Sequence, residues 1–303
     1  MATRQLDGPP RILPLYARAL APLLPGASRL PWVSGRDGSV PVLELTLSGV
    51  RVDLRRLADY DRTCSFPVHE ALPATYPHVL AFPLQLALIT DRHFPFAAVG
   101  LVHVANRITQ HRPLDDNERL ELRVHATPVQ RHPRGRIFSL VTEAWVAGEL
   151  IWEELSTMLH REHSSRPAAA QDEQPQTPPP LRGAEWRLPG ELGRRYATVS
   201  GDRNPIHLHA LAAKAFGFQG AIAHGMWTKA RCLAALQHRL PGAFTVEVRF
   251  RRPILLPATV VFSKAVEVDG IRFWVHDPRS RSQHLDGWVQ PAAAAAHGGG
   301  EGP

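Results

Sequence analysis

The segment 164–183 reads SSRPAAAQDEQPQTPPPLRG, with five prolines and no apolar periodicity. Such a composition cannot pack a core and reads as an extended linker, so the chain has to fold as two parts, one on each side of it. A length of 303 residues agrees with two domains at about 150 residues each. The expected organisation is therefore an N-terminal domain over 1–163, the linker over 164–183, a C-terminal domain over 184–290, and a mobile tail over 291–303 (PAAAAAHGGGEGP).

The second part carries the clearer pattern. A short helix is expected over 188–199, then the turn SGDRNP. A helix from Pro205 to about Phe216 follows, with Asn204 as N-cap and Pro205 in the first helical position. Met226, Ala230, Leu233 and Leu236 recur at three and four residues, which predicts a buried helix over 226–239. After Pro241-Gly242 the period changes to two: Phe244, Val246, Val248 and Phe250 alternate with Thr245, Glu247 and Arg249 as in a half-buried strand. Further strands are expected at 259–268, 271–276 and 285–289.

The first part repeats this order more weakly, with an apolar helix over about 77–91 and strands near 99–106, 120–127, 137–146 and 150–159. Val102, Val104, Arg107 and Pro113 each lie 144 residues before Val246, Val248, Arg251 and Pro257, which points to an internal duplication. A central helix followed by antiparallel strands, twice over, predicts an α+β protein built from two similar sheets.

Composition excludes several classes. With 44% apolar and 21% charged residues the chain is neither disordered nor fibrous. Cys64 and Cys232 form no CxxC or Cys/His metal spacing, so two reduced, inert packing thiols of a cytoplasmic protein are expected. The first residues lack the order of a signal peptide, and the best apolar run, 79–89, is too short to span a membrane. Up to Leu181 there are 19 basic and 19 acidic residues, and beyond it 16 and 9, so the whole positive excess sits in the second part. That balance fits a phosphorylated small molecule or another polyanion. Without clustered Lys/Arg and interleaved aromatics, nucleic acid is not expected as a partner.

Chemistry concentrates in Tyr196 to Met226, YATVSGDRNPIHLHALAAKAFGFQGAIAHGM. Gly201 permits a tight backbone path, and Asn204 before Pro205 is biased away from helix. Asp202 and His207 would diverge on a regular helix, but across this turn they can converge about one water apart, as proton transfer to and from water requires. His224-Gly225-Met226 opens the central helix, whose free N–H groups can stabilise negative charge on an oxygen. Asp202 alone reads as a turn residue and His207 alone as a packed histidine; the two motifs together favour catalysis. His207, His209 and His224 resemble a metal set, but His-x-His on a helix points its rings apart, and no metal is expected.

SGDRNPIH followed by GFQGAIAHGM resembles the signature of the MaoC-like, hydratase-2 family of (R)-specific enoyl-thioester hydratases and dehydratases. The resemblance implies a hot-dog fold, a long helix wrapped by an antiparallel sheet, here as a double hot-dog that forms a pseudo-dimer in one chain. It implies a lyase of fatty acid metabolism that adds water reversibly to trans-2-enoyl thioesters, giving (R)-3-hydroxyacyl thioesters. Asp202 and His207 would be the catalytic pair, the Gly225 N–H the oxyanion donor, and Asn204 and His224 supporting residues. Arg203, Arg251 and Arg252, with Arg249 also considered, would meet phosphates of coenzyme A or an acidic acyl-carrier protein. No cofactor is implied. Monomer and homodimer both stay open.

His209 departs from the family pattern, which often has an acid there. The first half lacks GDxNPxH, and in DYDRTCSFPVHEALP, Asp61 and His69 read as surface or loop residues. One active site per chain is expected, with the first half shaping the acyl tunnel. Trp227 and Phe216 read as core rather than tunnel lining. An acyl-CoA thioesterase and a non-catalytic acyl-thioester-binding protein of the same fold are the alternatives.

Overall fold

A computed structural model of the chain describes residues 1–21, 40–162, 178–180 and 182–292. Most of the expected linker and the tail beyond Ala292 lie outside the described residues. The first half runs β1 (Ala2–Gln5), α1 (Ile12–Leu20), β2 (Leu43–Val50), α2 (Leu54–Cys64), α3 (Tyr76–Ile89), β3 (Leu101–Gln110), β4 (Leu120–Ala126), β5 (Gln130–His132), β6 (Gly135–Val146) and β7 (Glu149–Arg161). The second runs β8 (Ala184–Leu188), α4 (Leu192–Ser200), α5 (Pro205–Leu208), α6 (Ala210–Ala215), α7 (Gly225–Leu236), a 3-10 turn (Gln237–Arg239), β9 (Phe244–Phe250), β10 (Ala258–Glu267), β11 (Gly270–His276) and β12 (Gln283–Pro291).

The two expected sheets are one. Twelve strands form a continuous sheet in the order β1-β2-β4-β6-β7-β3-β9-β12-β11-β10-β8, with β5 paired to β6 off this path. Apart from β1, which adds parallel to β2, the described pairings are antiparallel. Inward from β2 on one side and from β8 on the other the strand order reads alike, and the two runs meet at β3–β9, with β1 added outside the repeat. The 144-residue offset seen in the sequence carries Ala105 onto Arg249, and these two are direct partners in that ladder. The halves are thus related by an approximate two-fold axis through this pair.

Each half-sheet wraps one helix. On α3, Val79, Leu84 and Leu88 are fully buried; on α7, the four residues picked out by their spacing, Met226, Ala230, Leu233 and Leu236, are all in the core. Both helices are buried on most sides, α3 with His78 and Gln85 and α7 with Thr228 and Lys229 among their buried residues, and each such Leu contributes roughly 1.5–3 kcal/mol by leaving water. α3 continues through Pro83. Thr245 is buried rather than half-buried, because β9 lies mid-sheet and its hydroxyl meets that of Thr109 on β3 at 3.2 Å.

Other boundaries moved. The helix expected over 188–199 begins at Leu192, after the short strand β8. The helix expected over 205–216 is two short ones broken at His209, which is extended (φ −140°, ψ 131°), exposed, and makes no side-chain cap for α6. Pro291 closes β12, and the Ala292 N–H donates to the Ala243 carbonyl at 3.2 Å. No helix among the described residues is long and apolar enough to cross a membrane.

Candidate active site

The site begins where α4 ends. Gly201 caps that helix in the left-handed region (φ +83°), and its N–H donates to the Ala197 carbonyl at 3.0 Å. A side chain there would be strained by φ and would also meet Ile12 Cδ1 of α1 at 2.7 Å. The chain then turns: the Asp202 N–H donates to Ser200 Oγ at 3.1 Å, and Asp202 Oδ1 accepts from the Asn204 N–H at 3.1 Å. Asn204 caps α5, its Oδ1 accepting from the Ile206 N–H at 3.4 Å, with Pro205 at the first position. One turn later His207 faces back toward Asp202.

The turn brings together Asp202, His207 and His224, with side-chain ligand atoms all within 4.8 Å of one another. A water with hydrogen bonds of about 2.8 Å to each side fits between atoms that far apart. His207 Nδ1–H donates to the Ile222 carbonyl at 2.8 Å, which fixes the tautomer and leaves Nε2 with a free lone pair. His224 Nε2–H donates to the Asp202 carbonyl at 3.0 Å and lies 3.7 Å from Asp202 Oδ2. The two imidazoles stack at 3.7 Å, tilted by 25°.

Burial sets the charges. It lowers His207 below the ordinary imidazole value, against the pull of Asp202, and lowers His224 to about 3, with the neighbouring His207 adding to the effect. For Asp202, burial pushes the carboxyl up, but the two imidazoles, the Asn204 N–H and the Tyr16 hydroxyl together hold it below the usual range. At neutral pH the site holds a carboxylate and two neutral imidazoles.

Gly225 is the first residue of α7, and its N–H belongs to the first turn, where amides lack an acceptor in the helix. A Cβ at this position would meet the Phe250 ring at 2.9 Å. Both line a cavity of about 300 Å³ that also takes in Asp202, Asn204, His207 and His224. Phe82, Leu86, Ile89, Leu140 and Met158 of the first half form an apolar wall, while His78, Gln85, His103 and Ser156 add polar groups. Phe216, half-buried, lines this cavity, a role its core reading did not exclude, whereas Trp227 is buried outside it, donating to the Thr63 carbonyl at 3.0 Å.

The arginines divide. Arg251 and Arg252 line the cavity, but Arg251 is held in an ion pair with Asp286. Arg203 is exposed and does not line it. Arg134 and Arg161 from the first half do, which the sequence reading missed. Asp61, expected as a surface or loop residue, lies half-buried on α2, with burial raising its carboxyl to about 6.

The Asp/His cluster makes a poor metal cage. One nitrogen of each imidazole is committed to a backbone carbonyl. Rings stacked nearly parallel aim their in-plane lone pairs alongside one another, whereas a zinc ion needs them to meet at about 2.0–2.1 Å.

Two buried helices, each held by half of one antiparallel sheet, with an acid–imidazole pair at the start of the second helix, define a double hot-dog protein. Residues 170–277 match the MaoC like domain. The chain is 39% identical over 236 residues to 3-hydroxyacyl-thioester dehydratase X of Mycobacterium tuberculosis, covering 77% of this chain and 83% of that protein. A crystal structure of that protein, HtdX, superposes with a TM-score of 0.73 at 35% identity, over 82% of this chain and 100% of that one. A 3-hydroxybutyryl-CoA dehydratase of Methylorubrum extorquens is 41% identical over 63 residues, 20% of this chain and 40% of its own length. A MaoC-like dehydratase from Phytophthora capsici shares the fold, with a TM-score of 0.68 at 18% identity, over 86% of this chain and 99% of that one. The chain belongs to the MaoC-like dehydratase family.

Proposed function

We propose that the protein is a hydro-lyase that interconverts trans-2-enoyl and (R)-3-hydroxyacyl thioesters, with Asp202 and His207 as catalytic residues. The observation that carries this reading is a carboxylate and an imidazole with a free Nε2, their ligand atoms within 4.8 Å of each other, in a cavity that the first residue of α7 also lines.

In hydration, water lies between Asp202 Oδ2 and His207 Nε2. Its oxygen bonds to the β-carbon as one O–H bond breaks, and the electron pair of the C=C bond moves toward the thioester oxygen. The Gly225 N–H stabilises that developing enolate oxygen. The proton taken up by the pair is then returned to the α-carbon, so atoms and charge balance and the pair ends as it began. Both new bonds form on the face turned to the pair, giving syn addition. Dehydration is the reverse.

Arg252, and Arg251 in its ion pair with Asp286, line the cavity, which supports a phosphorylated carrier, coenzyme A or an acyl-carrier protein, as the bearer of the acyl group. The two halves joined within one chain supply both walls of the cavity, so a monomer suffices for the site. Two free, buried cysteines fit a reducing compartment such as the cytoplasm.

The test is loss of the ultraviolet absorbance of short and medium-chain trans-2-enoyl-CoA, with an (R)-specific coupling enzyme reading the product. Wild-type turnover to the (R) product supports the reading. Release of free thiol instead replaces it with a thioesterase.

A further inference from the structure

The N-terminal helix α1 lies outside both hot-dog repeats, yet it reaches the catalytic turn of the opposite half. Leu15 and Ala19 bury one side of the helix. Ile12 packs where Gly201 leaves room for it. Between them the Tyr16 hydroxyl donates to Asp202 Oδ1 at 3.0 Å and accepts from the Arg203 N–H at 2.6 Å. Oδ1 therefore has two donors, Tyr16 and the Asn204 N–H, while the other oxygen, Oδ2, lies nearer the imidazoles.

We infer that Tyr16 is a positioning residue for the reaction. It pins one oxygen of Asp202 so that the other is presented to water and substrate, and it keeps the carboxyl ionised. The inference rests on Asp202 being catalytic. Two physical consequences follow from the contact. A carboxylate with two fixed donors has one rotamer and one free face, which removes a search from the reaction. A hydrogen bond to the charged form also favours that form. Burial and the charge of Asp202 push the phenol far above its ordinary value, so Tyr16 stays a donor over the working pH range.

Among the described residues, no other side chain donates a hydrogen bond to Asp202 Oδ1. Arg56 of α2 also braces the turn from the first half, but through the Val199 carbonyl, with Nε donating at 2.8 Å. Its action is on the end of α4, not on the carboxylate.

The experiment compares Tyr16→Phe with wild type in the full chain, and uses Ile12→Ala as a variant that loosens α1 without touching the hydroxyl. Tyr16→Phe is expected to lower kcat about tenfold, the usual size for one hydrogen bond to a charged group, with little change in KM. A carbon-13 titration of the Asp202 carboxyl, assigned with Asp202→Asn, should move up by about one pH unit. Ile12→Ala should lower the melting temperature and leave that titration in place. An unmoved carboxyl titration in Tyr16→Phe overturns the inference, as does an equal shift in Ile12→Ala. If the wild type turns over no enoyl thioester, the carboxyl titration still decides whether Tyr16 governs Asp202, and the failure falls on the proposed activity alone.

Discussion

The two halves share a strand order and a two-fold axis but not a site, and the divergence sits in one turn. α4 ends at Gly201 in the left-handed region and α2 ends at Ser65 in the same region (φ +60°). From there the second half reads GDRNPIH and the first reads SFPVH, two residues shorter. Both retain Pro-x-His. Where the second half has Asp202, the first has Phe66, 8% exposed and packed in the core. Its His69 is exposed, with Nδ1 accepting from the Ala71 N–H at 3.1 Å, and Val68 beside it is fully exposed. A turn shortened by two residues cannot fold its histidine back toward the position after the cap, so losing the acid and turning the imidazole outward go together. The first half instead sends α1 and Arg56 across to brace the surviving turn, and α3 to wall the cavity.

Breaking the pair should have the largest effect. Asp202→Asn keeps the shape and removes the charge, and should lower kcat for hydration by about 10³-fold. His207→Gln should cost about as much, measured in the same assay. Gly225→Ala comes next. Its added methyl forces the Phe250 ring and the first turn of α7 apart, so turnover should fall at least tenfold and stability by about 1–3 kcal/mol, read by denaturant unfolding. His69→Gln, in the half without a site, should leave kcat within about twofold.

Acid should separate activity from stability. The proposed pair requires a neutral His207, and burial lowers that imidazole, so kcat should hold down to pH values below its ordinary value of about 6.5 and then fall as the ring protonates. Burial also holds His224 at about 3 and His103 at about 4 in the folded chain. The unfolded chain binds those protons first, so stability is full above about pH 6.5 and declines as pH falls toward 4 and then 3. A melting series between pH 7 and 4 should show that decline.

The segment that carries the chemistry was legible because its signals are local. Gly201, Asn204 with Pro205, and the three- and four-residue spacing from Met226 each fix nearby backbone, and the chain path follows from them. The matched offset, read as an internal duplication, has its counterpart in the β3–β9 ladder, where Ala105 pairs with Arg249. Tyr16 gave no such signal: it lies 186 residues from Asp202, on a helix that only tertiary packing delivers to the turn. The pairing of Arg251 with Asp286 depends on the β9–β12 register, which no local pattern sets. The helix break at His209 escaped because the apolar spacing continues across it while no side chain caps α6. Continuity of the sheet was missed for a similar reason, since alternation reports a strand's faces but not its neighbours.

The central claim is that one acid–imidazole pair acts on one face of the substrate. Hydration of a trans-2-enoyl-CoA in deuterium oxide tests it directly, with the configuration at both new centres read by proton NMR. Deuterium at the α-carbon on the same face as an (R)-hydroxyl at the β-carbon is the predicted result. Addition from opposite faces, or an (S)-hydroxyl, would contradict it.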